Sequence, residues 1–113
     1  MSDRPNVLLI CTDHWPGTLF GVAGHPVIHT PTLDTLTQSG VRFSRAYSEC
    51  PVCIPARRTL MTGLSPRSHG DRVFKVNEPM PQAPNVAQTF RDAGYQAYAV
   101  GKLHVYPQRD RIG

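Results

Sequence analysis

A thiol, a guanidinium one helical turn later, and a lysine and a histidine two positions apart near the end of the chain are the side chains of this sequence best suited to act on an anion. The thiol is Cys53, in the stretch CPVCIPARRTLMTG that runs from Cys50 to Gly63. Residues from Ile54 to Thr62 suit a short helix: Pro55 fits a first turn, where its missing N–H costs nothing, and Gly63 can end the helix in a left-handed turn. Cys53 then sits at the helix entrance, where unpaired N–H groups and the positive end of the helix dipole favour an anion or a negatively charged oxygen nucleophile. Arg57, four residues on, lies on the same face, and its guanidinium can fold back toward whatever Cys53 carries.

Other stretches supply further groups. Asn6 to Thr12 reads as a buried strand, a short branched apolar run whose carboxyl end delivers Asp13. Ligands of open α/β sheets gather at such ends, so Asp13 is a candidate metal ligand; the plainer reading of the same residue is a turn or a helix cap. Tyr95 to Val100 reads as a second buried strand and runs into Gly101-Lys102-Leu103-His104. If that end stays extended, Lys102 and His104 point to one side and both can face the anion.

These residues carry a resemblance. Cys53, Pro55 and Arg57, extended by Leu60, Thr62 and Gly63, resemble the Cys-x-Pro-x-Arg…Leu-x-Thr-Gly signature of the type I sulfatases, members of the alkaline phosphatase superfamily. Thr30 to Leu36 is similar to that family's TPNLDRLA stretch, residues 63–70 to its G-x-x-P-x-x-H-G loop, and Gly94-Tyr95 with residues 101–104 to its GY…GKWH signature, with Leu103 replacing Trp. His14 replaces a second Asp found in many sulfatases; the phosphonate monoester hydrolase and choline sulfatase branches also carry a single Asp there, usually followed by Gln. The resemblance implies an α/β fold, an alkaline-phosphatase-like mixed sheet flanked by helices. Family members are several times longer, so residues 1–113 are expected to be the N-terminal portion of a sulfatase-like catalytic domain.

The resemblance also implies a reaction. In the family the cysteine is oxidised to formylglycine by a formylglycine-generating enzyme, and the hydrated aldehyde attacks sulfur to form a covalent sulfo-enzyme. Its second hydroxyl is then deprotonated, which expels sulfate and restores the aldehyde. By resemblance Cys53, Arg57, Lys102 and His104 are catalytic: Arg57 holds the hydrated aldehyde, Lys102 binds it and a sulfate oxygen, and His104 is the base or hydrogen-bond partner. Asp13 and the modified Cys53 are expected to bind a divalent cation, calcium on the chemistry of oxygen donors or manganese if a histidine joins them. The family's remaining metal ligands, with a second Lys and His, lie well downstream, so the 113-residue piece alone is expected to bind metal weakly and not to turn over substrate.

With 113 residues and 40% apolar content the chain suits one small domain with an ordinary core. Its net charge of +4 and pI near 9.3 permit a nucleic-acid partner, but the basic residues are scattered, which favours a small anionic ester over nucleic acid. The apolar run at residues 7–10 is too short for a signal peptide or a membrane span, and the expectation is a cytoplasmic protein with no membrane partner. Three cysteines argue against a disulfide framework.

Between these landmarks, residues 15–29 carry glycines and prolines without a sustained period and read as a loop with one short helical turn. Thr30 or Thr32 can cap a helix with Pro31 in its first turn, Leu33 and Leu36 on its core face and Gly40 at its end. Val41 to Tyr47 alternates and reads as a strand. Residues 71–84, with three prolines, read as a surface loop of the kind that varies with substrate. Asn85 caps a helix that Gly94 stops.

Other classes compete. Cys50 and Cys53 have the spacing of a redox dithiol or of half a zinc site completed by His69 and His104, but no second cysteine pair exists and Pro55, Arg57 and Lys102 are left without a role. A non-catalytic binding module would keep Cys53 as a thiol. Within the hydrolases, a phosphonate monoester or phosphodiester hydrolase fits Pro55, Arg57 and the single Asp13 equally well.

Overall fold

A computed structural model describes residues 4–75 and 77–105. Residues 1–3 and 106–113 lie outside it, as does Val76 of the 71–84 loop. The chain forms two compact units, Met1–Ala46 and Tyr47–Gly113.

In the first unit, helix α1 spans Pro31–Ser39, with Thr30 as its N-cap residue and Gly40 as its C-cap. Pro31 occupies the first helical position, where no N–H is needed. Two 3-10 turns, Gly17–Leu19 and Gly21–Ala23, precede it, where the sequence suggests a single helical turn. The second of them packs on α1 through polar groups. Thr30 Oγ1 accepts from Gly21 N–H at 2.8 Å and donates to Asp34 Oδ1 at 2.9 Å, while Asp34 Oδ1 accepts from Val22 N–H at 3.0 Å. Gly21 is required by this approach, since a Cβ there would lie 2.5 Å from Asp34 Oδ2. The expected core face of α1 is not buried: Leu33 and Leu36 are both exposed.

The second unit is built on helix α2, Cys53–Thr62, which ends where Gly63 adopts φ 69°. One short helix, α3 (Pro66–His69), forms in the stretch expected to be a loop. Ser65 caps it by accepting from Ser68 N–H. Helix α4, Val86–Asp92, is capped by Asn85, whose Oδ1 accepts from Gln88 N–H at 3.0 Å, and Gly94 follows with φ 87°. Both α3 and α4 pack on α2, whose Ile54, Pro55 and Arg58 are buried. Phe90 and Tyr95 meet edge to face with centroids 5.1 Å apart. Replacing Asn85 by Ala should cost about 1 kcal/mol, read from the denaturant midpoint, because one first-turn N–H loses its acceptor.

The strands expected at residues 6–12, 41–47 and 95–100 are corrected: among the described residues no strand forms. Leu8 is 84% exposed, Phe43 80% and Tyr98 84%. A helix satisfies its backbone from residues four positions away, whereas a strand is satisfied only by a neighbouring strand, and a parallel one only when both faces are covered. These segments have the composition of buried strands without such neighbours among the described residues.

Candidate active site

Cys53 is the first residue of α2, half-buried, after an extended Val52. The first helical hydrogen bond runs from Ala56 N–H to Val52 C=O at 2.9 Å, and Pro55 has no N–H to satisfy. The N–H groups of Cys53 and Ile54 therefore have no intrahelical acceptor, and no acidic residue stands in the first turn to compete for them. A negative oxygen carried by residue 53 meets the favourable end of the helix dipole.

Arg57 and Arg58, adjacent on α2, grip different segments because successive helical side chains point about 100° apart. Arg57 donates from Nη1 to the carbonyls of Lys102 at 2.6 Å and Leu103 at 3.4 Å. This joins the helix of Cys53 to the stretch that carries Lys102 and His104, although the two lie 45 residues apart in sequence. The guanidinium thus reaches the backbone of residues 102–103. Those carbonyls occupy part of a fork with five donors.

The stretch 101–104 is not a regular strand. Gly101, in a bend, has φ 99° and His104 φ 48°, so the regular alternation that would align Lys102 with His104 is broken at both residues. His104 is half-buried beside the buried Val105, and its ring lies 6.0 Å from that of Phe74. Asp13 belongs to the first unit, exposed, in a turn whose next residue, His14, has φ 54°.

Sequence reading missed the most deeply buried polar cluster. Arg58, 1% exposed, pairs with Asp71 at 2.6 Å and donates to the carbonyl of Glu78. His69 Nδ1 lies 3.2 Å from Asp71 N–H and 3.4 Å from Asp71 Oδ2, and Nε2 lies 3.0 Å from Thr59 Oγ1. A signal was present: Arg58 stands four residues after Ile54, on the buried stripe of the helix, and a charge there requires an acid. Asp71 is the first acidic residue after Glu49.

This geometry bears on the zinc and dithiol readings. Cys11, Cys50 and Cys53 are free thiols. Both ring nitrogens of His69 are engaged, and the Cys50 thiol lies 3.6 Å from the carbonyl of Arg72. Among the described residues no group of three or more His, Cys, Asp or Glu side chains is placed to hold a metal. None of the described helices is long and apolar enough to cross a membrane.

A helix entrance bearing a thiol, clipped through arginine to a Gly-Lys-Leu-His stretch, is the local arrangement, and residues 5–110 match the sulfatase family: the chain belongs to it. It is 37% identical over 110 residues to an arylsulfatase of Clostridium perfringens, a match that covers 97% of this chain and 23% of that protein. It is also 34% identical over 104 residues to a choline-sulfatase of Rhizobium meliloti (91% of this chain, 20% of that one) and 37% identical over 102 residues to an ulvan-active sulfatase of Formosa agariphila (90% and 20%). The chain thus spans about a quarter or less of the length of these relatives. No solved structure matches it significantly. The family implies an alkaline-phosphatase-like fold, and its members generally use a formylglycine and a divalent metal.

Proposed function

We propose that this chain is the N-terminal portion of a sulfatase catalytic domain, residues 1–113, and that the whole protein hydrolyses sulfate esters through a formylglycine made from Cys53 by a formylglycine-generating enzyme. The observation that carries the proposal is the family match over residues 5–110, with Arg57 binding the helix of Cys53 to the backbone of Lys102 and Leu103. The exposed apolar segments 6–12, 41–47 and 95–100 are the strands of the family's mixed sheet, paired within the whole protein.

Once formed, the hydrated aldehyde of residue 53 supplies one hydroxyl to attack sulfur and a second whose ionisation releases sulfate. The unpaired N–H groups at the start of α2 hold negative charge on that residue. Arg57 ties the residue's helix to the 101–104 stretch and supplies a fixed positive charge from a position one helical turn after residue 53. Lys102 holds a sulfate oxygen, and His104 takes the proton in the release step. In the whole protein Asp13 and residue 53 would contribute two donors to a divalent cation, which would supply Lewis-acid chemistry there; calcium would suit the oxygen donors. Two donors fall short of the roughly six to eight that calcium takes, and no three-donor group exists among the described residues, so they do not form a complete cation site. The isolated chain should accordingly show no turnover of an aryl sulfate and no tight calcium binding by calorimetry.

The second reading, a phosphonate monoester or phosphodiester hydrolase, rests on His14 standing where many sulfatases have a second Asp. Paired aryl sulfate and phenylphosphonate esters, given to the full-length protein, separate the two. Preference for the sulfate is the expected result; strong preference for the phosphonate overturns the sulfatase reading and leaves the formylglycine chemistry standing.

A further inference from the structure

Arg58 holds the loop after α3 at two points, the Asp71 carboxylate and the Glu78 carbonyl. Phe74 lies between them, and its ring stands 6.0 Å from the His104 imidazole at an interplanar angle of 54°. His104 itself has φ 48°, a left-handed conformation that a non-glycine residue keeps only where its surroundings enforce it. Phe74 is 49% exposed, so burial in a core does not account for its position. The chain on either side of it is held by Arg58.

We infer that Phe74 is a positioning residue for His104, and that the Arg58–Asp71 pair is the brace that keeps it in place; the catalytic consequence rests on the role proposed above for His104. An imidazole turns about a broad, shallow torsion, so a ring packed against one side narrows the directions in which its nitrogens can take a proton. Phe74 touches neither the nucleophile nor the sulfate in this scheme. Its loss should change the rate of proton transfer and leave substrate binding alone.

The test uses the full-length protein with converted Cys53 and an aryl sulfate, together with diethyl pyrocarbonate modification of His104 followed by peptide mass spectrometry. Phe74→Ala should lower kcat about tenfold with KM and Tm nearly unchanged, because misplacing a reacting group by a fraction of an ångström is enough for such a loss. Phe74→Tyr should restore kcat, a rescue that a general packing role for the loop does not require. Arg58→Met with Asp71→Leu replaces the ion pair by apolar groups, which a fold commonly tolerates, yet should lower kcat like Phe74→Ala because the loop between residues 71 and 78 is released. His104 should be modified faster in Phe74→Ala and in the double variant, and at the wild-type rate in Phe74→Tyr. Unchanged kcat and unchanged His104 modification in Phe74→Ala overturn the inference. Wild-type values in the double variant overturn the brace. Failure of the wild-type protein to hydrolyse the aryl sulfate removes the sulfatase reading instead, and the modification rates then decide the position of Phe74 by themselves.

Discussion

Replacing Cys53 by Ala in the full-length protein should lower sulfate ester turnover by about ten-thousandfold or more, since the proposed source of the nucleophile is removed outright. The fold should survive the change: Cys53 is only half-buried, at the first position of α2, and the helix is held by Ile54, Pro55 and Arg58 rather than by the thiol. Cys53→Ser separates two parts of the chemistry. A serine hydroxyl can attack sulfur once, losing its proton as the alcohol leaves, but it has no second hydroxyl on the same carbon with which to expel sulfate. An unconverted serine should therefore accumulate as a sulfate ester, seen in intact mass spectrometry as the gain of one SO3, with a single burst of product. In the wild-type peptide, conversion replaces the sulfur and two hydrogens of Cys53 by one oxygen. An unmodified thiol in an active preparation would exclude formylglycine; a Cys50–Cys53 disulfide in its place would favour the dithiol reading.

How much of this was legible in the sequence depended on how local each feature is. The helix at Cys53–Thr62 could be read because its start, first-turn proline and glycine stop lie within a dozen residues and act through the nearby backbone. The Asn85 cap was legible for the same reason. The expected direction of His104 was conditional on an extended strand end, and that condition is not met, since Gly101 and His104 both take positive φ. Strands 6–12 and 95–100 were read from apolar composition, which reports a preference for burial but does not supply the partner that makes a strand. For the proposed site, the sequence motifs single out Cys53, Arg57, Lys102 and His104 as candidates, and only coordinates show that Arg57 reaches the carbonyls of residues 102 and 103. Arg58 was overlooked because its neighbour carries the motif. A charge on a buried helix stripe is the feature that marks it.

Arg58→Met alone should destabilise the protein by about 3–5 kcal/mol, because the Asp71 carboxylate keeps its buried position and loses its partner. The alternative is a solvent-screened pair worth about 0–1 kcal/mol. Burial decides between them: the two side chains are 1% and 10% exposed, their closest atoms are 2.6 Å apart, and the guanidinium also satisfies the Glu78 carbonyl. Asp71→Leu alone should be comparably costly, since it leaves the guanidinium uncompensated. Arg58→Met and Asp71→Leu together should cost far less than the sum of the two, because no buried charge remains without a counter-charge. Urea unfolding of the wild type, both single variants and the double variant closes the cycle. A coupling energy below about 1 kcal/mol would mean that water reaches the pair, and the loop after α3 would then be held by packing on α2 rather than by this charge.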